Sequence, residues 1–184
     1  MALTLNDITE LLRTKGQDQY GGEAVTQLEH ALQCAYLAEK AQETEETITA
    51  ALLHDLGHLL SAGKGSDLMA PAANGDDLHQ YIALPFLRTI LPDTVLEPIK
   101  LHVDAKRYLC AVDKGYWSTL SVASKKSLEL QGGIFSDEQA KNFETNRYGQ
   151  EAARLRRYDD LAKTPGVLTP ALEHYLAILQ RVSH

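Results

Sequence analysis

The chain has 184 residues, of which 44% are hydrophobic and 23% charged, and a formal net charge of −7. That length fits one domain, 1–184, able to bury roughly 70% of its extended-chain surface, and the balance carries no signature of disorder. The acidic excess argues against a nucleic acid partner, because phosphate-backbone binders need a basic surface.

The N-terminus, Met1 to Asp7, shows no basic region followed by an apolar core, so no signal peptide is expected. No apolar run approaches the ~20 residues of a membrane span. Cys34 and Cys110 are far apart and form no CxxC motif, as in a reduced compartment. These observations predict a cytoplasmic protein with no membrane partner.

Nearly every periodic segment reads as helix, starting with Leu3 to about Arg13, closed by Lys15-Gly16. From Glu23 to Ala41, Val25, Leu28, Leu32 and Ala35 recur at helical spacing. Thr44 is placed to cap the next helix, with Glu45 and Glu46 in its first turn and Ile48, Leu52, Leu53 and Leu56 on its apolar face. Ser61 to Gly75, with three glycines and a proline, reads as a loop. A helix is predicted from about Asp77 to Ile90, kinked or restarted at Pro85.

Asp93 to Val103 is predicted helical, then irregular to Trp117. Leu120 to Leu130 is a helix ended by Gln131-Gly132-Gly133. Ser136 with Gln139 forms a capping box that opens a helix to about Glu144. Tyr148 to Lys163 and Pro170 to Val182 complete the set, the last with Thr169 as cap and Pro170 at the first helical position. No alternating strand pattern of useful length appears. The expected class is all-α.

Chemistry concentrates in His54-Asp55-Leu56-Gly57-His58, within an otherwise apolar helix. Helical spacing puts His54, Asp55 and His58 on one side, and a buried aspartate there needs a partner such as a metal. Around it, His30, His54, His79 and His102 fall on four successive predicted helices beside apolar neighbours, and Asp159 follows on a late helix. Four histidines and two aspartates so placed read as ligands converging from a helical bundle. His174 and His184 lack that context and are assigned to surface or packing.

The pattern H…HD…H…H…D resembles the HD superfamily, and residues 50–58 are similar to its central motif. Within it, the segments Tyr20 to His30, His102 to Leu109, Leu130 to Gly133 and Arg156 to Asp159 resemble the oxygenase branch. That branch includes myo-inositol oxygenase and the phosphonate-cleaving dioxygenases of the PhnZ and TmpB type. The resemblance runs from about Leu11 to Tyr175 and implies an HD-domain helical bundle.

It implies two iron ions as cofactors, mixed-valent Fe(II)/Fe(III), with O2 as co-substrate. His30, His54, Asp55 and Asp159 would hold one iron, and His79 and His102 the other, with Asp55 bridging. His58 would face the substrate. Lys106, Ser124, Gln131 and Arg156 would hold the phosphonate, and Tyr20 and Glu23 would form a mobile gate beside Gly21-Gly22. Imidazole and carboxylate without thiolate also suit manganese or zinc. Lys106 falls just past the predicted helix end, which leaves its direction open, while Lys125, Lys126 and Arg157 read as solvated charges.

The implied reaction is O2-dependent cleavage of the C–P bond of a small organophosphonate, giving a carboxylate and phosphate. Tyr20, Tyr81 and Tyr158, with Glu23 and Asp104, favour 1-hydroxy-2-(trimethylammonio)ethylphosphonate, which would yield glycine betaine, since aromatic faces suit a quaternary ammonium. The alternatives are 2-amino-1-hydroxyethylphosphonate giving glycine, and hydrolysis of a phosphate ester by a metal-dependent HD phosphohydrolase.

Overall fold

The computed structural model describes residues 3–61 and 78–184, and their regular structure is helical. The predicted loop from Ser61 to Gly75 and the helix start near Asp77 lie almost wholly outside them. α1 (Leu5–Thr14) opens on a Thr4–Asp7 capping box. α2 (Gln27–Lys40) begins four residues later than the apolar periodicity suggested, because Thr26 and Glu29 form a second capping box. Val25 is buried although it precedes the helix. Residues 19–26 instead form a tight loop, joined by a single antiparallel bridge between Gln19 and Thr26.

α3 (Glu45–Leu53) is capped by the Thr44 side chain, as expected. It stops before the HD pair: His54 is its C-cap, and α4 (Leu56–Ser61) starts after Asp55. The motif therefore sits at a break between two helices rather than inside one. His54 keeps helical dihedrals, and His58 N–H donates to Asp55 O at 3.0 Å, so the three side chains still share a side. α5 (His79–Ile82) and α6 (Leu84–Leu87) are the two halves of the segment that Pro85 interrupts.

α7 (Asp93–Val112) corrects the expected irregular stretch: the helix runs on through Lys106 to Val112 and tolerates Pro98 inside it. Ala105, Tyr108 and Leu109 on this extension are buried. α8 (Tyr116–Thr119) is short, and α9 (Val122–Leu130) is capped by Ser121. α10 (Asp137–Glu144) has the predicted Ser136–Gln139 box. α11 (Gly149–Leu161) and α12 (Leu172–Val182) follow, and Ala171 rather than Thr169 is the cap of α12, without a side-chain bond.

Two apolar clusters flank α7. The larger joins α1–α4, α6 and the start of α7 with α11 and α12, using Val95, Leu96 and Ile99 of α7. The smaller joins the later part of α7 to α8–α11 through Leu101, Ala105, Tyr108 and Leu109. α11 packs along α7, and α2 and α12 pack on α3. His102 and Lys106 thus sit on one helix where the two clusters meet.

Gly57 permits the closest approach near the site. A Cβ there would lie 2.1 Å from His79 O and 2.9 Å from His79 C, both backbone atoms. Gly57→Ala must push α5 away from α4 and carry His79 with it. The expected cost is about 1–3 kcal/mol by chemical denaturation, together with weaker metal binding than in the parent.

Candidate active site

Each ligand-type side chain is placed by a different piece of the bundle. His30 lies in the first turn of α2, His54 and Asp55 occupy the α3–α4 break, His79 opens α5, His102 is mid-α7 and Asp159 is on the last turns of α11. All six are buried. Leu78 precedes His79 with φ +53°, a left-handed conformation that strains a branched residue and turns the chain into α5.

Backbone carbonyls set the histidine rings. His30 Nδ1 donates to Ala162 O at 2.8 Å, His54 Nδ1 to Ala51 O at 2.9 Å and His102 Nδ1 to Ile99 O at 2.6 Å. With the proton held on Nδ1, each ring turns Nε2 inward, the orientation that outer hydrogen bonds impose on metal-binding imidazoles. His30 Nε2 lies 3.3 Å from His54 Nε2, and His79 Nε2 lies 3.0 Å from His102 Nε2.

Asp55 sits between these two pairs. Its Oδ2 is 3.6 Å from His30 Nε2 and 3.4 Å from His54 Nε2. Its Oδ1 is 3.4 Å from His79 Nε2 and 3.7 Å from His102 Nε2. Asp159 Oδ1 lies 3.4 Å from His30 Nε2 and Oδ2 3.8 Å from His54 Nε2, on the first pair's side. Ligand atoms about 2.1 Å from a common ion stand roughly 3–3.5 Å apart, which these separations approach. Asp55 Oδ2 and Asp159 Oδ1 are buried without a hydrogen-bond partner among the described residues, a costly state that a cation would relieve. The donors present therefore fit two metal ions.

Cys34, read as incidental in the sequence, packs its Sγ 3.6 Å from His30 Nε2. Burial, with Asp159 and Asp55 nearby, keeps it a protonated thiol. His58 is half-buried, stacked on His79 at 4.1 Å, with Nε2 3.9 Å from Asp55 Oδ1.

A cavity of about 550 Å³ opens onto this centre, lined by Asp55, His79, His102 and Asp159 and by Tyr20, Glu23, His58, Lys106, Ser124, Gln131 and Arg156. The extended α7 settles the direction of Lys106: it is one turn after His102, 2% exposed, and donates to Ser127 Oγ at 2.7 Å. Arg156 contacts Asp159 Oδ2 at 2.6 Å and grips Asp160 through Nε and Nη2, and Tyr116 also donates to Asp160 Oδ2. Gln131 Oε1 is buried without a hydrogen-bond partner among the described residues. The Tyr20 ring stacks on His30, with centroids 3.8 Å apart, and Glu23 accepts from Ser121 Oγ at 2.6 Å.

Other expected residues fall elsewhere. Tyr81 is exposed, Tyr158 donates to Glu43 at 2.7 Å, and Asp104 pairs with Arg107 at 3.4 Å. None of the three lines the cavity, so the expected aromatic surround is not formed by Tyr81 and Tyr158, and Tyr20 is the one tyrosine among the described lining. Sequence reasoning missed Ser127 and Lys163, which both line it. Ser127 carried a signal, one turn after Ser124 on α9, whereas Lys163 follows the end of α11 and carried none.

Charge at the centre follows burial. Burial opposes ionisation of Asp159, but Arg156, Lys163, His54 and His30 outweigh it and hold the carboxyl low. The histidines around Asp55 do the same for it. Burial takes His30 down to about 4 and His102 well below its usual range. His54 is burdened by burial too, yet Asp55 lifts it to about 9. Lys106 falls to about 7 through burial and the neighbouring Arg156.

The HD domain model matches residues 28–129. A hydroxymethylphosphonate dioxygenase of Gimesia maris is 44% identical over 93% of this chain and 84% of its own length. A glycine-betaine-forming [1-hydroxy-2-(trimethylamino)ethyl]phosphonate dioxygenase of Leisingera caerulea is 36% identical over 91% and 84%. An uncharacterized protein, L432, of Acanthamoeba polyphaga mimivirus is 34% identical over 93% and 78%.

Two measurements test this electrostatic arrangement. At pH 7.5 the metal-free His54, lifted to about 9 beside Asp55, holds a second proton, while burial keeps His30 and His102 neutral. Metal binding should therefore release about one proton, read from the buffer dependence of the calorimetric enthalpy. None released would mean that His54 is neutral in the folded protein.

Lys106 loses its proton near 7 when folded and near 10.4 when unfolded, so the unfolded chain binds more protons between these values and stability rises with pH across that window. Lys106→Met should raise Tm by roughly 2–8 °C at pH 7, since removing a buried ammonium gains about 1–2 kcal/mol, and the gain should shrink towards pH 10. The same variant should bind a phosphonate more weakly.

Proposed function

The chain belongs to the HD-domain family, as a dioxygenase of its phosphonate-cleaving group, and from that premise we propose that it oxidises hydroxymethylphosphonate with O2 to formate and phosphate. Atoms balance: both atoms of O2 enter the products, the C–P bond breaks, and the hydroxyl-bearing carbon becomes a carboxylate. The observation that carries the reading is the Asp55 carboxylate, whose two oxygens face separate histidine pairs beside a cavity rich in cations.

His30, His54, Asp55 and Asp159 would hold one iron, and His79, His102 and Asp55 the second. A mixed-valent iron pair supplies the Lewis acidity and the redox capacity for reaction with O2. The protein's own residues bind and orient. Lys106, Ser124, Gln131 and Arg156 would hold the phosphonate, with Lys106 and Arg156 as its charge-assisted donors. His58 would present its ring to the substrate hydroxyl. Tyr20 would cover the centre, where burial and the two aspartates keep its phenol protonated. Glu23, tied to Ser121, would hold the loop that carries Tyr20.

The lining supports a small substrate. A quaternary ammonium is best held by several Trp, Tyr or Phe faces, and among the described residues Tyr20 is the one such side chain that lines the cavity. Hydroxymethylphosphonate needs only an anion cradle and a hydroxyl contact. The trimethylammonium substrate remains the second reading, favoured by Asp18 and Glu23 at the cavity and by the 36%-identical relative. Phosphate-ester hydrolysis finds no support in the relatives, two of which are dioxygenases over more than 90% of this chain.

The deciding assay supplies the iron-loaded protein with O2 and each of three phosphonates: hydroxymethyl-, 2-amino-1-hydroxyethyl- and 1-hydroxy-2-(trimethylammonio)ethylphosphonate. Phosphate release should match O2 uptake one to one, with the highest kcat/KM for hydroxymethylphosphonate. A preference for either larger substrate would reject this choice, and phosphate release without O2 uptake would reject the oxygenase reading. Asp55→Ala should abolish turnover and lower iron content together.

A further inference from the structure

Lys163 joins the metal-ligand carboxylate, the loop over the cavity and the serines of the anion cradle. It follows the end of α11, and its Nζ lies 3.0 Å from Ser124 Oγ, 3.7 Å from Glu23 Oε1 and 3.9 Å from Asp159 Oδ1. The same ammonium stands 5.8 Å from the centre of the Tyr20 ring. Its side chain is only 12% exposed.

The backbone that carries it is fixed on both sides. Ala162 O accepts the His30 Nδ1 proton, and Thr164 exchanges two hydrogen bonds with the buried Gln33 side chain, at 3.0 and 3.2 Å. A surface lysine has no such anchorage. Across the cavity Lys106 donates to Ser127 Oγ, one turn from Ser124 on α9. Two lysines from different elements therefore meet two serines of one helix, and the four polar groups converge on the same cavity.

Resting on the proposed phosphonate pocket, we infer that Lys163 is a substrate-binding residue that exchanges partners: it pairs with Glu23 in the free enzyme and transfers that contact to the bound phosphonate. A tetrahedral dianion lying on Ser124 and Ser127 takes one ammonium from each side. Lys163 is within reach because it already contacts Ser124. Its bond to Glu23 is the longer and weaker one, whereas a desolvated dianion offers more charge at closer range. As Lys163 turns to the anion, the Glu23 side chain keeps Ser121 among its described partners, and the 19–26 loop loses a tether. Substrate charge is thereby coupled to the loop that carries Tyr20.

The experiment titrates inorganic phosphate into the iron-loaded protein by calorimetry, for the parent, Lys163→Met, Lys163→Arg, Glu23→Gln and the Lys163→Met/Glu23→Gln double variant. Lys163→Met should weaken phosphate binding about tenfold or more, the loss expected for one charge-assisted contact, and Lys163→Arg should recover most of it. Glu23→Gln should tighten binding severalfold by removing the competing partner, and that gain should disappear when Lys163 is Met. Unchanged affinity in Lys163→Met, or an equal Glu23→Gln gain in both backgrounds, would overturn the inference.

Should Lys163→Met lose its iron, Glu23→Gln still decides: tighter phosphate binding supports the exchange, and unchanged or weaker binding rejects it. The pattern of phosphate affinities without any C–P cleavage would reject the proposed function and keep the role of Lys163. Cleavage with phosphate affinities indifferent to Lys163 and Glu23 would do the reverse.

Discussion

The Asp55 carboxylate is the constraint around which the molecule is arranged. An ionised carboxylate in a helical core is tolerated only where positive charge compensates it. Here its two oxygens look to opposite sides, each towards a pair of imidazoles. Holding that position requires the α3–α4 break, which frees Asp55 from regular helix geometry, and the bare Gly57, which lets α5 bring His79 to Oδ1. A Cβ at 57, a straight helix through 53–56 or a different start to α5 would each disturb the pairing of one oxygen with its imidazoles.

The last turns of α11 serve the centre three times over. Asp159 points inward from the helix, the unpaired carbonyl of Ala162 at its end orients His30, and Lys163 follows at the cavity wall. A helix C-terminus has carbonyls without intrahelical partners, and this one satisfies a carbonyl with an imidazole N–H. The solution also fixes the histidine's tautomer. Gln33 closes the same junction by bonding Thr164 in both directions. Local helix-ending chemistry and the geometry of the site are therefore a single problem with a single solution.

Much of this was legible in the sequence. Histidines at 30, 54, 79 and 102 with aspartates at 55 and 159 did converge, because ligand-type residues on successive amphipathic helices must face the common core. The capping box at Ser136 and the restart at Pro85 were equally plain, since each depends on near neighbours alone. The start of α2 was misplaced because Val25 continues the apolar rhythm while the Thr26–Glu29 box, a local signal, ends it. The far half of α7 was overlooked although Ala105, Tyr108, Leu109 and Val112 keep helical spacing, and with it went the direction of Lys106. Lys163 was not legible as a site residue: in a chain with 18 basic residues, a lysine's burial is decided by contacts far away in sequence, here Gln33, Ser124 and Glu23. Tyr81 and Tyr158 erred the other way, since adjacency to a ligand in sequence says little about which face of its helix a side chain takes.

The cations of the cavity explain how an acidic chain can receive an anion. Arg156 is committed to Asp159 and Asp160, Lys106 to Ser127, and Lys163 to Ser124 with Glu23 and Asp159 near. Left bare and buried together, three positive side chains would repel, and Lys106 is already drawn down to about 7 by burial and by Arg156. Their carboxylate and hydroxyl partners keep the unliganded pocket tolerable. Binding a dianion then replaces weak or shared contacts rather than neutralising an exposed field, so affinity depends on which partner each cation can release. Arg156, held by two carboxylates, has little to release. Lys106 gives up a neutral hydroxyl and Lys163 a long ion pair, so a bound phosphonate would draw the two lysines from their present partners, while Arg156 would donate to it without leaving Asp159 and Asp160.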